Sequence, residues 1–118
     1  MPLTIRSAKG THRFTVEVAR SPKEQVAGLM FRRTLAPDAG MIFPYPSERL
    51  TAFWMKNTLI PLDLIFIRGD GRIARIAENC TPLSTELIYS GEPMGAVLEI
   101  AGGRSAELGL KPGDVVAW

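Results

Sequence analysis

Apolar and polar positions alternate with a period of two over much of the chain. Leu3-Thr4-Ile5 and His12 to Ala19 read as strands, the second placing Phe14, Val16 and Val18 on one face. Lys9-Gly10 sits between them as a turn, so the two predict a hairpin. At Ser21-Pro22-Lys23-Glu24 the pattern changes. Ser21 can cap a helix, Pro22 suits its first position and Glu24 completes a capping box. Val26, Leu29 and Met30 follow at helical spacing, with Gly28 keeping the helix to two or three turns.

Beyond the turn chemistry of Pro37-Asp38-Ala39-Gly40, a short strand is expected over Gly40 to Phe43, stopped by Pro44 and Pro46. Pro44 to Arg49 reads as a polar loop. Strands follow at Leu50 to Lys56 and Leu62 to Arg68, then Arg72 to Glu78 after the Gly69-Asp70-Gly71 turn. Ile73 and Ile76 are out of strict alternation, which predicts a bulge. Thr81 to Pro93 is loop-rich. Ala96 to Ile100 is a strand, Ser105 to Leu108 a short helix with Gly109 as its left-handed stop, and Val115 to Trp118 a last strand.

No βαβ rhythm appears. The expected fold is α+β and mostly β: a small antiparallel or mixed, barrel-like or rolled sheet of seven to eight short strands with two short helices. The 118 residues read as a single domain, long enough for a core without disulfides. Helix, left-handed glycine and Pro-Gly-Asp turn from Gly103 to Val116 look like the second half of a PDZ domain. A PDZ domain would also need a carboxylate-binding loop upstream, so this reads as a reused helix–turn–strand corner.

Composition removes several functions. Apolar residues form 46% of the chain, which excludes disorder. One cysteine, Cys80, and one histidine, His12, cannot make a disulfide or a zinc motif. The net charge is only +2 and the arginines are dispersed, so no nucleic-acid partner is expected. No apolar run is long enough to span a bilayer. The start Met1-Pro2-Leu3-Thr4 is not a signal peptide. An unaided reading leaves a cytoplasmic protein or a domain whose leader was removed. No cofactor is expected, and a monomer is.

Candidate chemistry concentrates at Phe53-Trp54-Met55-Lys56-Asn57-Thr58 with Pro61-Leu62-Asp63. In the strand Leu62 to Arg68, Leu62, Leu64 and Phe66 share one face and Asp63, Ile65 and Ile67 the other. A strand apolar on both sides thus carries one carboxylate, and burial requires that it be partnered. Arg33, Lys56, Asn57 and Thr58 are the expected partners, or backbone amides of the Asn57 to Pro61 turn. The structural reading of Asp63 is preferred to a general acid or base. Met30, Met41 and Met55 could converge as soft Cu(I) ligands beside Trp54, although methionine more often fills cores. Cys80 reads as a half-buried, inert thiol. No catalytic residue is assigned.

These blocks resemble a known family. Glu24 with Gly28-Leu29-Met30 and Arg33, then Gly40-Met41-Ile42-Phe43, the Trp54 to Asp63 segment with Phe66, Val97-Leu98-Glu99 and Gly113-Asp114 are similar to domain of unknown function family 192, also called uncharacterised protein family 0127. The likeness runs from about Val16 to the end. It implies a bacterial or archaeal protein, often with an N-terminal signal or anchor, and so favours a periplasmic or exported domain. It implies no activity. The expected function is non-catalytic binding of a small ligand or short peptide in a cleft near Trp54 to Asp63, as an accessory domain of the cell envelope. Ligand contacts are expected from Arg33, Trp54, Lys56, Asn57, Thr58 and Asp63. The alternatives are an enzyme, hydrolase-like or other, with Asp63 as acid or base, and a Met-rich Cu(I) protein.

Overall fold

Period-two patterning gives one continuous sheet in the computed structural model, which describes residues 1–118. Its strands are β1 (Pro2–Ser7), β2 (Gly10–Val18), β3 (Ala39–Arg49), β5 (Leu62–Ile67), β6 (Ile73–Cys80), β8 (Met94–Ala101) and β9 (Val115–Ala117). They are ordered β6-β5-β8-β3-β2-β1-β9. All neighbours run antiparallel except β2 and β3, which are parallel. Two short strands, β4 (Ala52–Phe53) and β7 (Ile88–Tyr89), pair separately. The helices are α1 (Pro22–Ala27) and α2 (Arg104–Leu108).

Right-handed strand twist rolls the sheet until its edges meet at one corner. Arg72 pairs with Val115, Ile73 N–H donates to Asp114 C=O at 2.8 Å, and Val116 N–H donates to Gly71 C=O at 2.8 Å. The result is a half-barrel, in keeping with the rolled, mostly β fold expected from the sequence. The inner face of the curl gathers side chains from every strand of the sheet, among them Ile5, Phe14, Ile42, Ile65, Leu98 and Val116. The outer face carries a second apolar cluster, including Met41, Phe43, Leu64, Phe66 and Val97, covered by Leu29 and Met55 from the connections. Strand β5 is buried on both sides, and its two faces divide as the alternation predicts.

Four local expectations are corrected. Strand β3 continues through Pro44 and Pro46 to Arg49. Proline is tolerated because no ladder bond is needed there: the register with β8 jumps from Pro44↔Ala96 to Arg49↔Met94, and β2 has ended at Val18. The strand expected over Leu50 to Lys56 shrinks to Ala52–Phe53, because the paired strand offers only Ile88–Tyr89 and Met55 N–H donates instead to Ser84 C=O at 2.9 Å; the expected turn follows at Asn57 (φ 56°). Its partner β7 forms within the stretch read as loop. In α1 the capping box is present, with Glu24 N–H donating to Ser21 Oγ at 3.1 Å and Ser21 N–H to Glu24 Oε1 at 2.9 Å. The helix has only six residues, however, and Val26 is 74% exposed while Leu29 is buried. The expected bulge is real: Phe66 pairs with Arg75 and Ile67 with Ile73, leaving Ala74 as the extra residue.

Candidate functional site

Asp63 lies on the inner face of β5 and is fully buried. Its partners are none of the four side chains expected. Oδ1 accepts the backbone N–H groups of Asn79 (2.9 Å) and Gly103 (3.0 Å). Oδ2 accepts the Ser105 N–H at 2.9 Å and the Ser105 hydroxyl. Gly103 is the N-cap of α2 and has no capping side chain, so Asp63 supplies the cap from β5. Both oxygens are engaged and sealed from solvent.

The Trp54 to Thr58 segment is a tight turn that joins three parts of the chain. Thr58 N–H donates to Met55 C=O at 3.1 Å, Phe31 N–H to Asn57 C=O at 2.8 Å, and Leu83 N–H to Thr58 C=O at 3.0 Å. Asn57 takes up the left-handed conformation that the turn demands, which asparagine tolerates. The Asn57 amide lies 4.0 Å from Met30 Sδ. Trp54 is 41% exposed, and the exposed Lys56 holds its ammonium 5.1 Å from the indole centroid. Arg33 is exposed and stands outside this group. Met41 and Met55 are both core residues of the outer cluster, whereas Met30 lines the open space.

The open space is a cleft of about 640 Å³ on the outer face of the sheet. One wall is α1 and its exit through Met30; the other is the Phe43 to Arg49 part of β3 with Thr51 to Trp54. Trp54 and Thr58 are the residues of the expected binding set that line it. Phe43 and Phe53 meet edge to face at 5.1 Å and form its aromatic wall. Gln25 spans one end, donating from Nε2 to Ala19 C=O at 3.1 Å and to Pro44 C=O at 3.2 Å. Arg49 stacks 4.1 Å from the Tyr45 centroid, and its guanidinium lies 3.4 Å from Gln25 Oε1.

At the floor is a residue that the sequence reading did not single out. Glu99 projects from β8 onto the outer face, cross-strand from Leu64 and Met41. It is 5% exposed, and Oε1 is enclosed with no hydrogen-bond partner. Burial raises its carboxyl from the usual 4.5 to about 8, so the group is mostly neutral at pH 7. Strand parity could have found it: in Ala96 to Ile100, Glu99 is the one charged side chain, as Asp63 is in its strand. Space above the carboxyl is kept by Gly28, which ends α1 at φ 46°, ψ −131°. Cys80 is buried in the same outer cluster, and burial foremost pushes its thiol up, which fits an inert role.

Fold and site together define a β half-barrel with a mixed aromatic and polar cleft on its outer face. The DUF192 family model, described as "Uncharacterized ACR", matches residues 4–118, and the chain belongs to that family. Among solved structures, a protein of unknown function from Novosphingobium aromaticivorans DSM 12444 is 46% identical, with a TM-score of 0.98 over 100% of this chain and 84% of that one. A protein from Sinorhizobium meliloti 1021, provisionally described as a transcription regulator, is 44% identical, with a TM-score of 0.95 over 98% of this chain and 91% of that one. No curated protein matches the chain. No helix is long and apolar enough to cross a membrane.

Proposed function

We propose that the protein is a non-catalytic binding domain whose cleft between α1 and the β3–β4 segment holds a small organic ligand or a short extended peptide. One observation carries this reading: the Glu99 carboxyl is buried at the floor of an open cleft without a partner. A polar atom so placed costs free energy unless something satisfies it, and the folded chain does not. A ligand hydrogen bond would. The volume lies within the roughly 300–1,000 Å³ usual for small-molecule sites. The walls supply apolar contact through Phe43, Phe53 and Trp54. Of the two residues that a binding role needs exposed in a concavity, Trp54 lines the cleft, whereas Lys56 is exposed outside it.

We infer a monomer, one domain, acting in the bacterial cell envelope; the location rests on the family resemblance and is tested by fractionating cells that express the full gene product. A regulatory role like that described for the Sinorhizobium relative would come through ligand sensing. Helices of six and five residues are too short to serve as a major-groove reading helix.

An unbiased thermal-shift screen of metabolites tests the reading. A ligand at 100 times its Kd stabilises by about 2.7 kcal/mol. Hits should lose their effect on Trp54→Ala and Glu99→Leu, and keep it on Lys9→Ala, which does not line the cleft. Hits that ignore both cleft variants would overturn the reading.

A further inference from the structure

The cleft has an electrostatic order that narrows its ligand, if the binding reading above holds. Its floor offers one carboxyl, with no cation paired to it and no hydrogen bond from the protein. Its rim offers two guanidinium groups, Arg20 and Arg49. The ion pairs of the molecule engage Arg32, Arg68, Arg72 and Arg104, and leave both rim arginines without a carboxylate in contact, with Glu24 acting on Arg20 only from farther off. Arg49 is further held by its stack on Tyr45, which fixes the group at the mouth of the cleft. Glu99 is the only acidic residue that lines the cleft.

These facts discriminate between ligand groups. A cationic group at the floor would have to shed its water in an apolar pocket and would pass two arginines on the way in. A neutral amide or hydroxyl meets no such cost, and a protonated carboxyl both donates to a carbonyl and accepts from an N–H or O–H. At the rim, an anion would find two exposed guanidinium forks suited to a carboxylate. Between floor and rim lie the aromatic side chains.

We propose that the cleft takes a small apolar monocarboxylate that carries a neutral hydrogen-bonding group, as an N-acylated apolar amino acid does, with that neutral group at Glu99 and the carboxylate at Arg20 and Arg49. Trp54 and Phe53 contact the apolar body.

Isothermal titration of the whole protein with three probes tests this. N-acetyl-L-phenylalanine has the body, the amide and the anion; N-acetyl-L-phenylalaninamide lacks the anion; phenethylamine has the body and a cation. The acid should bind about tenfold or more tightly than the amide, the value of one charge-assisted hydrogen bond, and the amine weakest. Arg49→Gln should bring the acid toward the level of the amide. Glu99→Gln, which keeps a neutral donor and acceptor, should bind the acid nearly as well, whereas Glu99→Leu should lose it. Phenethylamine binding tightest, with binding lost in Glu99→Gln, would overturn the ligand class and leave the cleft as a binding site. Absence of binding by the acid also overturns the class, and the unbiased screen then decides the cleft separately.

Discussion

A Cβ added to Gly28 would stand 3.6 Å from Glu99 Oε1 and 3.4 Å from Phe43 Cζ. The end of α1 therefore passes directly over the floor of the cleft. Gly28 also has positive φ with ψ −131°, a conformation open essentially to glycine. Gly28→Ala should destabilise the fold by about 1–3 kcal/mol, measured by urea unfolding. Ligand binding should weaken as well, because the methyl group closes on the carboxyl. A neutral effect on stability would contradict the geometry assigned to this cap.

Asp63→Asn separates the two buried acids. The amide cannot accept at both ends, so at least one of the donors from Asn79, Gly103 and Ser105 loses its partner. A loss of about 2–4 kcal/mol is expected, by chemical denaturation. Cleft binding should be unchanged in the folded fraction, since Asp63 faces the inside of the barrel. Full stability with lost binding would place Asp63 back in the site.

The pH dependence of stability reports on Glu99. Its carboxyl is raised in the folded state from 4.5 to about 8, so between these values the folded protein binds more protons than the unfolded chain. The stabilising contribution is full below about pH 4.5 and is lost as pH rises through 8. Relative to Glu99→Gln, the wild type should therefore lose a few kcal/mol between pH 5 and pH 8.5. Parallel pH profiles for the two proteins would show that Glu99 is not desolvated.

Trp54 and Lys56 are exposed and their contact is a surface one. Lys56→Ala should change stability by less than about 1 kcal/mol. Trp54→Ala should abolish ligand-dependent stabilisation while the protein stays folded by circular dichroism. Unfolding of the alanine variant would mark Trp54 as a core residue.

Strand alternation made most of the sheet legible, because each face of a two-sided strand must be apolar to be buried. The same logic exposed Asp63 as a carboxylate in need of partners. It could not name them, because they are backbone amides at residues 79, 103 and 105 and the Ser105 hydroxyl, brought near by the pairing of β5 with β6 and β8. Side-chain chemistry close in sequence, at Lys56 and Asn57, pointed to the wrong neighbours. Glu99 sat in plain view in Val97-Leu98-Glu99, but its significance depends on α1 and β4 folding over it as a cleft. The prolines of β3 misled because proline breaks a strand only where a ladder bond is required, and register is a tertiary property. The turn at Asn57 was legible, but Trp54 to Lys56 read as strand because nothing in the sequence shows that the partner strand is only Ile88–Tyr89 and that Met55 bonds to Ser84 instead.

The most direct test is a carbon-13 NMR titration of the Glu99 carboxyl, followed in the free protein and with N-acetyl-L-phenylalanine. A midpoint near pH 8 in the free protein, with a resonance that moves on addition of the probe, is the predicted result. A midpoint near 4.5 and a resonance indifferent to the probe would contradict the account.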